Sequence, residues 1–144
     1  MNFKSFYILL VCLVFVALKL FIAGRYWKEK PPEELVIETE TGKPMRGDYW
    51  EGQKLLKVYG CAVCHQIDGI SSEKESVGPP LTDWGKRSYI AGTMTNDPKK
   101  LIQWIQNPHE VNPETAMPDL GVSKQEALDM ATYLFNQGTQ DGDR

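Results

Sequence analysis

The chain is poor in the residues that organise many small proteins. It has two histidines and three cysteines in 144 residues. Cys12 lies inside an apolar run, where it reads as a small hydrophobe, so no disulfide framework can be built from the rest. Clustered basic residues are also missing. Setting aside Lys4 and Lys19, the only charges in the first 24 residues, leaves 14 basic against 19 acidic groups and a net charge of −5. Such a balance excludes a nucleic-acid footprint and is ordinary for a soluble surface. No stretch alternates apolar and polar residues for long enough to build a sheet, and there is no internal repeat. The length allows one small domain plus an anchor, not two ordinary cores.

What is present begins with FYILLVCLVFVALKLFIA, eighteen residues from Phe6 to Ala23 interrupted by Lys19 alone. At about 1.5 Å per residue this nearly spans a hydrocarbon core, and Lys19 near one end can snorkel. The sites around Ala17 and Ala23 lack a small residue two places earlier, and Val11 precedes Cys12 where a lipoprotein signal wants a small residue, so the expectation is an uncleaved anchor over 1–27. Arg25, Lys28 and Lys30 follow it and Lys4 precedes it. Positive-inside counting alone would keep the carboxyl side in the cytoplasm. The chemistry below requires export, so the expected topology is N-terminus inside, domain outside. Residues 28–47, with a proline pair and several glutamates but no sustained period, read as a flexible acidic tether; a short strand at Leu35 to Ile37 is the rival reading. The domain is expected over 48–138, with a disordered tail over 139–144.

The domain reads as all-α. A first helix runs from about Asp48 to Tyr59, placing Leu55, Leu56 and Tyr59 on one face. A second starts after Asn96 or Asp97 as cap with Pro98 in its first turn, carries Leu101, Ile102 and Ile105, and stops at Pro108. The third opens on a capping box, Ser123 with Glu126, continues through Ala127, Met130, Ala131, Leu134 and Phe135, and ends at Gly138.

Between the first two helices lies Cys61-Ala62-Val63-Cys64-His65. Two thiols three positions apart can reach the two vinyl groups of one porphyrin, with the adjacent imidazole falling beneath the iron. This is the spacing of c-type haem attachment, and histidine is a usual proximal ligand. A zinc site would need a further ligand, for which His109 is the thin candidate. A dithiol redox pair would need a strand-then-helix setting that the chain does not offer. About 90 residues with three short helices also make a thin core, which a covalent cofactor would complete.

Met94, His109, Met117 and Met130 are the candidates for the iron's sixth ligand. Met130 falls on the inward face of the last helix, where packing explains it. Met117 is preferred, because Ala116-Met117-Pro118 holds an extended backbone before the capped helix and soft sulfur suits an electron-carrying iron. Met94 and His109 remain as alternatives.

Helix, CxxCH, Gly78-Pro79-Pro80-Leu81, Met117-Pro118 and a last helix with Tyr133-Leu134 together resemble a small class I cytochrome c across most of Asp48 to Gln137. Arg87 to Gly92 (RSYIAG) and Leu101 to Pro108 (LIQWIQNP) resemble the cytochrome domain fused to subunit II of some haem-copper oxidases. The resemblance implies three to four helices around one covalent haem c, and a carbonyl of the Gly78-Pro79-Pro80 run, Pro79 foremost, accepting the second imidazole proton of His65. It also implies that Gly52 lets the first and last helices cross closely against Tyr133. Trp84, Arg87 and Trp104 are candidate donors to haem propionates. Tyr49 and Trp50 read as an apolar lead-in to the first helix. The chain departs from the subunit II pattern in having no paired downstream cysteines, with His and Met, for a dinuclear copper centre.

The expected function is electron transfer by a cytochrome c held on the outer side of the inner (cytoplasmic) membrane, in a respiratory chain, to or within a terminal oxidase. The expected partners are redox proteins, a haem-copper oxidase or a quinol-oxidising complex; no nucleic acid, small-molecule substrate or catalytic residue is expected. A haem sensor or peroxidase with a labile sixth ligand, and a structural haem subunit of a larger complex, are the alternative readings.

Overall fold

The computed structural model describes residues 3–26, 31–71 and 76–137. The chain divides into two units, Met1–Pro31 and Pro32–Arg144. In the first, helix α1 runs over Phe3–Tyr26, 24 residues. Its side chains are described from Tyr7 to Ile22, and nearly all are exposed apolar groups. That stretch is shorter than the ~20 apolar residues of a full crossing, and among the described residues no helix is long and apolar enough to cross a membrane. Lys28, Lys30, the Gly138 stop and the 139–144 tail lie outside the described residues.

The second unit is built on α6 (Lys124–Phe135). Helix α2 (Tyr49–Val58) crosses it, and α4 (Pro98–Gln106) packs on it as well. All three start where side-chain chemistry dictates. Asp48 accepts from the amides of Trp50 and Glu51, and Asp97 from those of Lys99 and Lys100 with Pro98 behind it. Ser123 and Glu126 close the reciprocal capping box. Each cap satisfies amides that would otherwise be left unpaired, typically worth about 1 kcal/mol. Asn96, one of the two expected caps, has a different task, described below.

The core gathers Leu55, Leu56, Leu101, Ile102, Ile105, Leu128, Met130 and Leu134, with Ile67, Ile70, Trp84 and Ile90 from the stretches between the long helices. Fully burying one such side chain stabilises by about 1.5–3 kcal/mol. Gly52 sets the crossing distance of α2 and α6: a Cβ there would stand 2.0 Å from the Asp129 carbonyl oxygen. The close approach is therefore against Asp129 and Met130, not Tyr133 as the resemblance implied. Tyr133 stacks instead on Tyr49, ring centroids 4.8 Å apart, while Trp50 points outward with 67% exposure.

The expected tether is corrected over residues 32–47. Strands β1 (Val36–Glu38) and β2 (Pro44–Arg46) form an antiparallel hairpin with Ile37 opposite Met45. Ile37 is buried in the core. The segment runs along α6, held largely through its backbone. Glu33 donates its amide to Asn136 Oδ1 (2.6 Å) and accepts from Asn136 Nδ2 (2.8 Å), Arg46 O accepts from Gln125 Nε2 (2.8 Å), and Gly47 lies against Leu128 and Thr132. The helix count also rises beyond three to four. Two one-turn helices, α3 (Cys61–Cys64) and α5 (Pro108–Val111), join the longer ones, with a 3-10 turn over Trp84–Lys86. A second small hairpin pairs β3 (Tyr89–Ile90) with β4 (Met94–Thr95).

Candidate functional site

Gly60 ends α2 in the left-handed region (φ 70°) and lets the chain start α3 at once. Residues three apart on a helical turn share a face, so Cys61 and Cys64 project to the same side. Both thiols are free, and burial pushes that of Cys61 up to about 11, with the neighbouring Cys64 adding to the rise. His65 leaves the turn in an extended conformation (φ −120°, ψ 141°), its amide still bonded to Cys61 O at 2.9 Å.

Residues 78–82 meet that imidazole. His65 Nδ1 donates to Pro79 O at 2.7 Å, which leaves Nε2 as the nitrogen to face a metal. A backbone bond flanks the contact on each side, from Gly78 N to Cys64 O (2.8 Å) and from Leu81 N to Gln66 O (2.6 Å). Gly78 is required sterically, because a Cβ there would lie 2.5 Å from His65 Cε1. The following turn is fastened to the helices. Tyr133 Oη donates to Asp68 O (2.5 Å), and Gln53 Nε2 donates to Tyr133 Oη (3.1 Å) and Gly69 O (3.2 Å).

The other expected residues fall as follows. Arg87 lies over the Trp84 ring, 5.3 Å from its centroid, and its Nη2 donates to the carbonyls of Pro80 and Thr82 rather than outward. Trp84 is buried, and its indole Nε1–H has no acceptor among the described residues. Trp104 is half-buried on α4 against the core. Of the four ligand candidates, Met130 is 1% exposed within the core, Met94 packs against it from β4, and His109 is exposed on α5. Met117 is half-buried in the loop before α6, its amide donating to Thr115 Oγ1 at 3.2 Å, and it is not one of the side chains packed on the core. Sequence reasoning missed Asn96 as a brace: its Nδ2 donates to the carbonyls of Trp84 and Arg87, both at 3.0 Å. The competing signal was cap chemistry, which Asp97 takes.

The family model for cytochrome c matches residues 50–137. The chain belongs to the cytochrome c family. Among curated proteins this cytochrome is similar to cytochrome c oxidase subunit 2 of Alkalihalophilus pseudofirmus, 31% identical over 81 residues, covering 54% of this chain and 23% of that protein. It is also similar to the subunits 2 of Bacillus subtilis, at 26% over 84 residues (54% and 24%), and of Bacillus sp. strain PS3, at 28% over 90 residues (60% and 25%). The chain therefore spans about a quarter of the length of these relatives. Membership implies electron transfer through a covalently bound haem c. The residues present suit that group: two unpaired thiols on one face, an imidazole oriented through Nδ1, and a glycine where a Cβ would collide with the ring.

Proposed function

We propose that this cytochrome carries single electrons outside the cytoplasm while held to the inner membrane by α1, passing them to or within a terminal oxidase of a respiratory chain. The observation that carries the reading is the Cys61–Cys64 turn leading straight into His65, whose imidazole is held on the Pro79 carbonyl. When bound, the haem supplies the one-electron ferric/ferrous couple. Cys61 and Cys64 would hold it by thioether bonds. His65 would offer Nε2 to the iron, its Nδ1–H fixed by Pro79 so that tautomer and ring plane are set beforehand. Met117 would offer a second ligand from a loop, its side chain not being among those packed on the core. The Trp84 indole, a buried donor, suits a propionate carboxylate.

The anchoring rests on the eighteen-residue apolar run and on the exposed apolar side chains of α1, which need a covering surface. The oxidase setting rests on the similarity to three oxidase subunits 2. Purification from membranes of the native host, followed by mass measurement and redox titration, tests all of this: haem mass on the chain and a single one-electron wave are expected. Met117→Ala should abolish the long-wavelength sulfur-to-iron absorption and lower the potential, since a thioether ligand raises it. An unchanged spectrum would remove Met117 from the iron. Protease added to intact spheroplasts should reach the haem domain; a protected domain would reverse the topology.

A further inference from the structure

The Pro79-Pro80 unit has no backbone N–H of its own, so nothing within it can anchor it by donation. Its position is set from the flanking amides of Gly78 and Leu81 and by donors brought to its carbonyls. One carbonyl, Pro79 O, accepts from His65, and the next, Pro80 O, accepts from Arg87 Nη2, which also reaches Thr82 O at 3.3 Å. Arg87 is in turn braced. Its guanidinium lies across Trp84, its amide donates to Trp84 O (3.1 Å), and its own carbonyl accepts from Asn96 Nδ2 (3.0 Å). Both bonds leave the single nitrogen Nη2, whose place is fixed by the planar guanidinium lying across Trp84, a placement that an ammonium on a flexible stem does not reproduce.

We propose that Arg87 is a positioning residue for the His65 imidazole, acting through the carbonyls of Pro80 and Thr82 to hold Pro79 O under Nδ1–H. This rests on His65 being the iron ligand. It assigns Nη2 of the guanidinium to the protein's own loop. The consequence is that Arg87 governs how often the His65–Pro79 bond opens without touching either residue.

The test is solvent exchange of the His65 Nδ1–H in the isotopically labelled ferrous holoprotein, compared with core amides of α6 in the same sample. Arg87→Lys keeps the charge and loses the planar group that Trp84 holds in place; the His65 Nδ1–H should exchange about tenfold faster, as loss of a hydrogen bond from a charged donor allows, with α6 amides unmoved. Arg87→Ala should show the same, partly reversed by added methylguanidinium. Equal acceleration of Nδ1–H and the α6 amides would mean a merely structural residue and overturn the proposal. So would an unmoved Nδ1–H accompanied by a changed pH dependence of the reduction potential, the signature of a propionate partner. A native wild-type protein without haem would sink the functional reading itself; a haem-loaded wild type with indifferent variants would sink this inference alone.

Discussion

Single residues decide this site because they remove alternatives. Gly78 is the clearest case: its missing Cβ lets the loop come to within bonding distance of the imidazole. Gly78→Ala forces the His65 ring or the loop to move, since the added carbon would sit 2.5 Å from Cε1. The expected outcome is a weakened His65–Pro79 bond, an altered low-spin spectrum and a shifted potential, with overpacking costing about 1–3 kcal/mol of stability. Redox titration beside thermal melting checks both. Cys61, Cys64 and His65 stand out in the sequence because the spacing of two thiols and an imidazole within five positions has few uses besides haem attachment. The bonds that Arg87 and Asn96 make leave no such mark, because their partners are backbone carbonyls, which say nothing through the residue types around them.

At the scale of elements, the caps and the apolar spacing located α2, α4 and α6 almost to the residue. From sequence the hairpin over 36–46 reads as a tether, because the signal for its docking lies on the helix that receives it. Asn136, Gln125 and Thr132 on and around α6 hold the segment, while the segment contributes little beyond Leu35, Ile37 and Met45. If the hairpin is part of the core, Ile37→Ala should destabilise the domain by about 2–4 kcal/mol in denaturant titration, whereas a tether residue would cost nothing measurable. Asp129 offers a second test. It is nearly buried on α6, where its Oδ1 accepts from Asp48 N and Gln125 Nε2, both at 2.8 Å. Burial raises its pKa above the usual carboxylate value, with Asp48 and Glu51 adding to the rise. A carboxyl raised in the fold binds its proton more tightly there than in the unfolded chain, so ionisation costs stability as pH climbs from the unfolded pKa through the folded one. Asp129→Asn keeps Oδ1 as an acceptor. It should be the more stable form at pH 7 and lose that advantage below about pH 4, where both states of the wild type are protonated. Paired melts at the two pH values decide it.

In the whole molecule, regular structure and site residues are divided between different stretches. Helices α2 and α4 both pack on α6 through core side chains, whereas the candidate residues Cys61, Cys64, His65, Pro79 and Met117 come from a single-turn helix and loops. Those stretches are rich in glycine and proline and bury little beyond Ile67, Ile70, Trp84, Ile90, Pro108 and Val122. Their backbone order therefore has few apolar contacts to offset the roughly 1–2 kcal/mol of conformational entropy lost per residue. In the functional reading a covalently held haem makes up the difference, by supplying apolar surface and by cross-linking the chain at Cys61 and Cys64. The double variant Cys61→Ala, Cys64→Ala, which cannot hold haem covalently, should then fail unevenly. Amide exchange should become fast across 61–71, 76–82 and 112–122, while residual protection persists in α2 and α6, whose crossing at Gly52 needs no cofactor. The cooperative thermal transition of the loaded protein should disappear. Retained protection in the loops of the haem-free variant would mean that protein contacts alone order them, and the division of labour argued here would be wrong.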